Sequence, residues 1–161
     1  MANVNSPNGF TPAYHMSGGT IRPSEFAIAS GTNASIFSGD VVNLSSGLVI
    51  QGTATGTPLG VFAGVEYQAT DGSVVFSKGW TADVATLGAA NAKAYVYSDP
   101  DIVYEAQSTG TPTQASIGTT NTISTTAGDS NTGRSKEGVT TTTSSGIATV
   151  VGFVDRPDNS I

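Results

Sequence analysis

From Phe26 onward the apolar residues come in short runs rich in β-branched and aromatic side chains, each bounded by Gly, Ser, Asn or Asp. That is the pattern of strands separated by turns. The runs are Phe26-Ala29, Val41-Leu44, Leu48-Gln51, Leu59-Tyr67, Val74-Ser77, Thr81-Leu87, Ala94-Ser98, Ile102-Gln107 and Ala148-Val154, and they predict an all-β domain. Between them stand Ser38-Gly39-Asp40, Ser45-Ser46-Gly47, Asp71-Gly72 and Ser98-Asp99-Pro100-Asp101. Glycine there supplies positive φ, proline presets φ, and Asp or Ser caps its own turn. Asp71-Gly72, between Val65-Tyr67 and Val74-Phe76, marks the clearest hairpin. The segments Ala94-Tyr97 and Ile102-Tyr104 are too apolar for strands with one wet face, so both faces are expected to be covered, by a barrel and by a neighbour.

Two stretches break this rhythm. Residues 1–25 have no helical period and contain Pro7, Pro12 and Pro23, yet Phe10, Tyr14, Met16 and Ile21 are spaced through them. They read as an extended N-terminal arm that docks on something. Residues 26–161 then form a single β domain carrying a Thr/Ser/Gly-rich excursion at about 108–146, with isolated Ile117, Ile123 and Val139. That excursion is either a disordered loop or a β extension ordered by packing on another copy. Only Leu87-Lys93 has a mildly helical composition, enough for a turn or so, and very little helix is expected overall.

Composition narrows the function. About half of the 161 residues are Ser, Thr, Gly or Ala, with one histidine and no cysteine. Proton transfer and nucleophilic catalysis use His, Cys, Lys and buried carboxylates, so this chain is expected to act through its surface and not as an enzyme. Six Lys and Arg residues against twelve Asp and Glu, for a formal charge of −6, argue against a nucleic-acid partner. Without cysteines there are no disulfides or thiolate metal sites. The N-terminus MANVNSPNGF has no basic region followed by an apolar one, and no later run is long enough to span a bilayer. The expectation is a soluble product made in the cytoplasm, with no membrane partner.

The candidate chemistry is sparse. His15 has no orienting partner or nucleophile nearby in sequence, and a packed or interfacial imidazole is expected. Asp99, Asp101 and Glu105 could offer oxygens to calcium, but they lack the glycine and downstream bidentate Glu of a calcium loop, which favours a capped turn. Some facing pair among twelve acids could serve a hydrolase, although no motif supports it. Trp80, the only tryptophan, reads as a core or interface anchor. No phosphate loop, dinucleotide fingerprint or nucleophile elbow appears.

Several segments, taken in order, resemble the capsid cement or decoration proteins of tailed bacteriophages. They are Asn8-Gly9-Phe10-Thr11-Pro12 with Tyr14-His15 and Ser17-Gly18-Gly19, then Gly39-Asp40-Val41-Val42, then Pro58-Leu59-Gly60-Val61-Phe62-Ala63-Gly64-Val65. Tyr95-Val96-Tyr97-Ser98-Asp99-Pro100, Tyr104-Glu105-Ala106-Gln107 and Gly152-Phe153-Val154-Asp155-Arg156-Pro157-Asp158-Asn159 complete the series, which leaves out only the Thr-rich 119–146 region. The resemblance implies a small β-barrel or β-tulip, in part jelly-roll-like, with no catalytic residue and no cofactor or metal. It implies a head-stabilising protein on the virion exterior that ties major capsid protein subunits together, commonly as a homotrimer. Phe10, Pro12, Tyr14, His15, Ile21, Arg22 and Trp80 are the expected capsid or inter-subunit contacts. The alternative expectation is a carbohydrate-binding or adhesin-like β domain, motivated by Trp80, the tyrosines and the acidic, Thr-rich surface.

Overall fold

A computed structural model describes residues 6–87, 92–143 and 145–155. Five strands close into a barrel: β2 (Ser24–Ile28), β4 (Val41–Ser45), β5 (Leu48–Gln51), β6 (Gly60–Gln68) and β9 (Ala92–Tyr97). They run in the order β4-β5-β2-β9-β6, and pairing of β4 with β6 completes the circle. All these pairings are antiparallel except β2 with β5. The fold is therefore all-β around a small barrel, as the alternating runs predict. Among the described residues the only helical element is a single 3-10 turn, Gln114–Ser116.

Alternation decides which residues fill the barrel. Along β9, Ala92, Ala94 and Val96 are buried while Lys93 is exposed. They meet Ile28, Val42, Val49, Phe62, Val65 and Trp80 in the main core. Phe62 and Val65 both face inward although they are three residues apart, because a bulge between Phe62 and Gly64 shifts the phase of β6 by one residue. Each fully buried Phe or Ile adds roughly 1.5–3 kcal/mol of transfer free energy.

Turn chemistry sets the hairpins. Ser46 and Gly47, both at positive φ, form the two-residue connection between β4 and β5. Asp71-Gly72 joins β6 to β7 (Val74–Ser77) as predicted, with the Asp71 carboxylate accepting from the Ser73 N–H at 2.9 Å and its hydroxyl at 2.6 Å. Beyond that hairpin, among the described residues β7 pairs only with β6 and leaves its other edge open.

The sequence pattern placed a strand at Thr81-Leu87, but the strand is β8 (Gly79–Trp80), which pairs with β3 (Ile36–Phe37). Within 81–87, Thr86 forms an isolated bridge with Ala69. The Ala148-Val154 run contracts to β14 (Ala148–Thr149), and Ala92 and Lys93 of the supposed helical window begin β9, while 88–91 lie outside the described residues.

The arm is itself partly a strand. Its β1 (Thr11–His15) pairs antiparallel with β10 (Ile102–Glu105) of the same chain. Pro12, which cannot donate, sits beside a bulge in this two-stranded ribbon, a tolerated place for proline. Phe10 joins Val41, Val61 and Ile123 in a second core on the barrel's outer wall, with Tyr104 and Val139 against it.

The Thr-rich excursion also packs on its own chain. It contributes β11 (Thr120–Asn121), β12 (Ile123–Ser124) and β13 (Gly138–Val139), with β11 paired to β14 and β12 to β13. The second face of the apolar strands is thus covered in part by this chain's own arm and excursion, where a neighbour was expected.

Candidate functional site

The motifs Asn8-Gly9-Phe10 and Gly39-Asp40-Val41-Val42 meet at one junction, together with residues 133–137 of the excursion. The Phe10 N–H donates to the Gly39 carbonyl at 2.9 Å. Ser38 and Ser135 tie turn to excursion: the Ser38 N–H donates to the Gly133 carbonyl and the Ser135 N–H to the Ser38 carbonyl, each at 3.0 Å. Gly9 has φ +72, and a Cβ there would collide with the Ser135 side chain and the Gly39 carbonyl. Only glycine lets the arm pass this close.

Two carboxyl groups lie at the centre of this junction. Asp40 is 1% and Glu137 0% exposed. Asp40 Oδ2 accepts from the Phe37 N–H at 2.7 Å, and Glu137 Oε2 accepts from the Val41 N–H at 2.8 Å. Among the described residues, Asp40 Oδ1 and Glu137 Oε1 find no hydrogen-bond partner. Burial pushes the Glu137 carboxyl up to about 8; the Val41 N–H opposes this and the nearby Asp40 charge adds to it. Burial also raises Asp40, against the Ser135 hydroxyl and the Phe37 N–H. At neutral pH Glu137 is therefore mostly protonated and can be a donor as well as an acceptor. Composition did not flag Glu137: it lies in a low-complexity stretch, and its burial depends on a backbone group 96 residues away.

Next to the junction lies a cavity of about 220 Å³ whose lining includes Phe10, Pro12, Phe62, Tyr97, Lys78 and Arg134. Lys78 and Arg134 are both exposed.

His15 has partners that sequence proximity alone did not reveal. Its Nε2 lies 3.1 Å from Asp99 Oδ2, and its Nδ1 lies 3.0 Å from Ser17 Oγ. The imidazole is nearly buried, with the His15 side chain 8% exposed. Asp99 caps its turn by accepting the Asp101 N–H at 2.9 Å, which with His15 holds the Asp99 carboxyl below its usual range. His15, Asp99 and Asp101 form one cluster. Glu105, grouped with the two aspartates by spacing, instead pairs with Thr11 at the far end of β10.

The expected contact residues separate. Tyr14 and Arg22 are exposed, and Pro12 and Ile21 are half-buried. Phe10 and Trp80 are both interior in the single chain, at 7% and 1% exposure. Phe10 fills the outer-wall core. Trp80 fills the barrel, with its Nε1–H donating to Thr32 Oγ1 at 2.7 Å and its ring 5.5 Å from Tyr67 in an edge-to-face arrangement. Among the described residues the most exposed large apolar side chains are Phe76 at 72%, Met16 at 66%, Val74 at 56%, Tyr14 at 54% and Val151 at 52%, with Leu44, Leu87, Ile117 and Val154 exposed to a lesser degree. Val74 and Phe76 alternate on the β6–β7 hairpin, but alternation alone does not say which side of a hairpin is wet.

No known protein family, curated protein or solved structure matches the chain.

Proposed function

We propose that this chain is a structural virion protein, without enzymatic activity, that binds the outside of a mature phage capsid and stabilises it by bridging major capsid protein subunits, with self-association into a homotrimer. The observation that carries the reading is the open β7 edge bearing exposed Val74 and Phe76. An unpaired strand edge with exposed apolar side chains is a liability for a free monomer and an asset for a protein that docks. Bridging needs a second adhesive element, and Tyr14 on β1 with the adjoining Met16 supplies one on a different sheet. The ordered series of segments resembling phage cement proteins supports the same reading. The carbohydrate-binding alternative loses its main motive, because buried Trp80 has no free face on which a sugar could stack.

Co-sedimentation with expanded shells of the phage that encodes the chain tests this proposal, with light scattering on the free protein alongside. Saturable binding at a fixed ratio by a trimeric protein is expected. A strict monomer that ignores expanded shells would overturn it.

A further inference from the structure

We infer that His15, Asp99 and Asp101 form a Zn²⁺-binding site that fastens the N-terminal arm to the turn between β9 and β10. One potential ligand atom from each residue lies within 4.8 Å of the other two. Around a zinc ion with ligands at 2.0–2.2 Å, neighbouring ligand atoms stand roughly 3–3.5 Å apart. The His15 Nε2 to Asp99 Oδ2 separation of 3.1 Å already falls in that range. Asp101 is exposed, so rotation of its carboxylate can close the remaining distance.

The imidazole distinguishes this cluster from an ordinary group of surface acids. It enters from β1, 84 residues away from Asp99, and is nearly buried, so its aim is fixed before any ion arrives. The Ser17 N–H donates to Nδ1 at 3.3 Å and Ser17 Oγ lies 3.0 Å from it, so before any ion binds the ring carries its proton on Nε2, facing Asp99. Binding takes the Nε2 lone pair: the proton that Nε2 shares with Asp99 passes through solvent to Nδ1, where Ser17 Oγ can accept it, and the imidazole stays neutral. One neutral imidazole and two carboxylates favour zinc over calcium, whose sites are built from oxygens alone. Water would complete the coordination.

The site would lock an arm already held by its backbone, since the Met16 N–H donates to the Asp101 carbonyl at 2.8 Å. Its ligands are distinct from the β7 edge, and its test needs no capsid.

Calorimetric titration of the purified protein with Zn²⁺ provides that test, with proton NMR of the single imidazole as a second readout. The expected result is one saturable site per chain of micromolar affinity, a shift of the His15 resonances, and a melting temperature several degrees higher at saturation. Asp101→Asn, which keeps the His15–Asp99 contact, should weaken binding about tenfold or more, and His15→Ala should abolish it. Asp71→Asn, at an unrelated exposed turn, should bind as the unmodified chain does. No saturable binding below about 1 mM Zn²⁺ overturns the inference, and so does wild-type affinity in either Asp101→Asn or His15→Ala.

Discussion

Glu137 accepts the backbone N–H of Val41 at 2.8 Å, and through this one bond the Thr-rich excursion is fastened to the first residue of barrel strand β4. The bond lies beside Asp40 in a fully buried setting, and it acts together with the Ser38–Gly133 and Ser135–Ser38 backbone bonds in seating the excursion.

Stability should therefore fall as the medium becomes alkaline. Burial raises the Glu137 carboxyl from an ordinary 4.5 to about 8, so between these values the folded chain holds a proton that the unfolded chain has lost. This contribution is complete below about pH 4.5, declines as pH rises, and is gone above about pH 8. Asp40, also raised by burial, acts in the same direction. Urea unfolding across pH 4.5–9 should show this slope. Glu137→Gln keeps an acceptor for the Val41 N–H without an ionisable group, so it should flatten the slope and be more stable than the parent by about 1–3 kcal/mol at pH 8.5. Parallel profiles for the two proteins would remove Glu137 from the account.

Replacing Gly9 tests the passage of the arm. Gly9→Ala places a Cβ against Ser135 and the Gly39 carbonyl at a left-handed φ of +72. A loss of about 1–3 kcal/mol is expected, with faster proteolysis within residues 6–20. Unchanged stability and protease resistance would show that the arm is not seated there.

The barrel core depends on Trp80. Trp80→Phe removes the hydrogen bond to Thr32 and part of the edge-to-face contact with Tyr67, and should cost about 1–3 kcal/mol by chemical denaturation. A variant as stable as the parent would place the indole outside the core.

The edge strand should behave in the opposite way. Phe76 is 72% exposed, so Phe76→Asp should leave monomer stability within about 0.5 kcal/mol while abolishing attachment to expanded shells. Retained attachment with an intact fold would move the docking surface elsewhere.

What could be read from the sequence was local. The Asp71-Gly72 hairpin and the alternation along β9 follow from neighbouring residues, and both are present in the fold. β1 was hidden because Pro12 and a bulge interrupt its pattern and because its partner, β10, begins 87 residues after the last residue of β1. The excursion's anchor was hidden for a related reason: a glutamate reads as solvated unless its distant donor, the Val41 N–H, is known. His15 and Asp99 looked unrelated for want of the same long-range pairing. Trp80 was open between core and interface, and the pairing of β3 with β8 places it inside.

This chain is proposed to tie coat subunits together from outside. A reconstructed electron image of purified particles saturated with the protein tests it most directly. Its density is expected on the outer surface, spanning at least two coat subunits, with the β7 edge and the Tyr14–Met16 segment at the contacts. Density confined to a single subunit, density inside the shell, or none at all would contradict it.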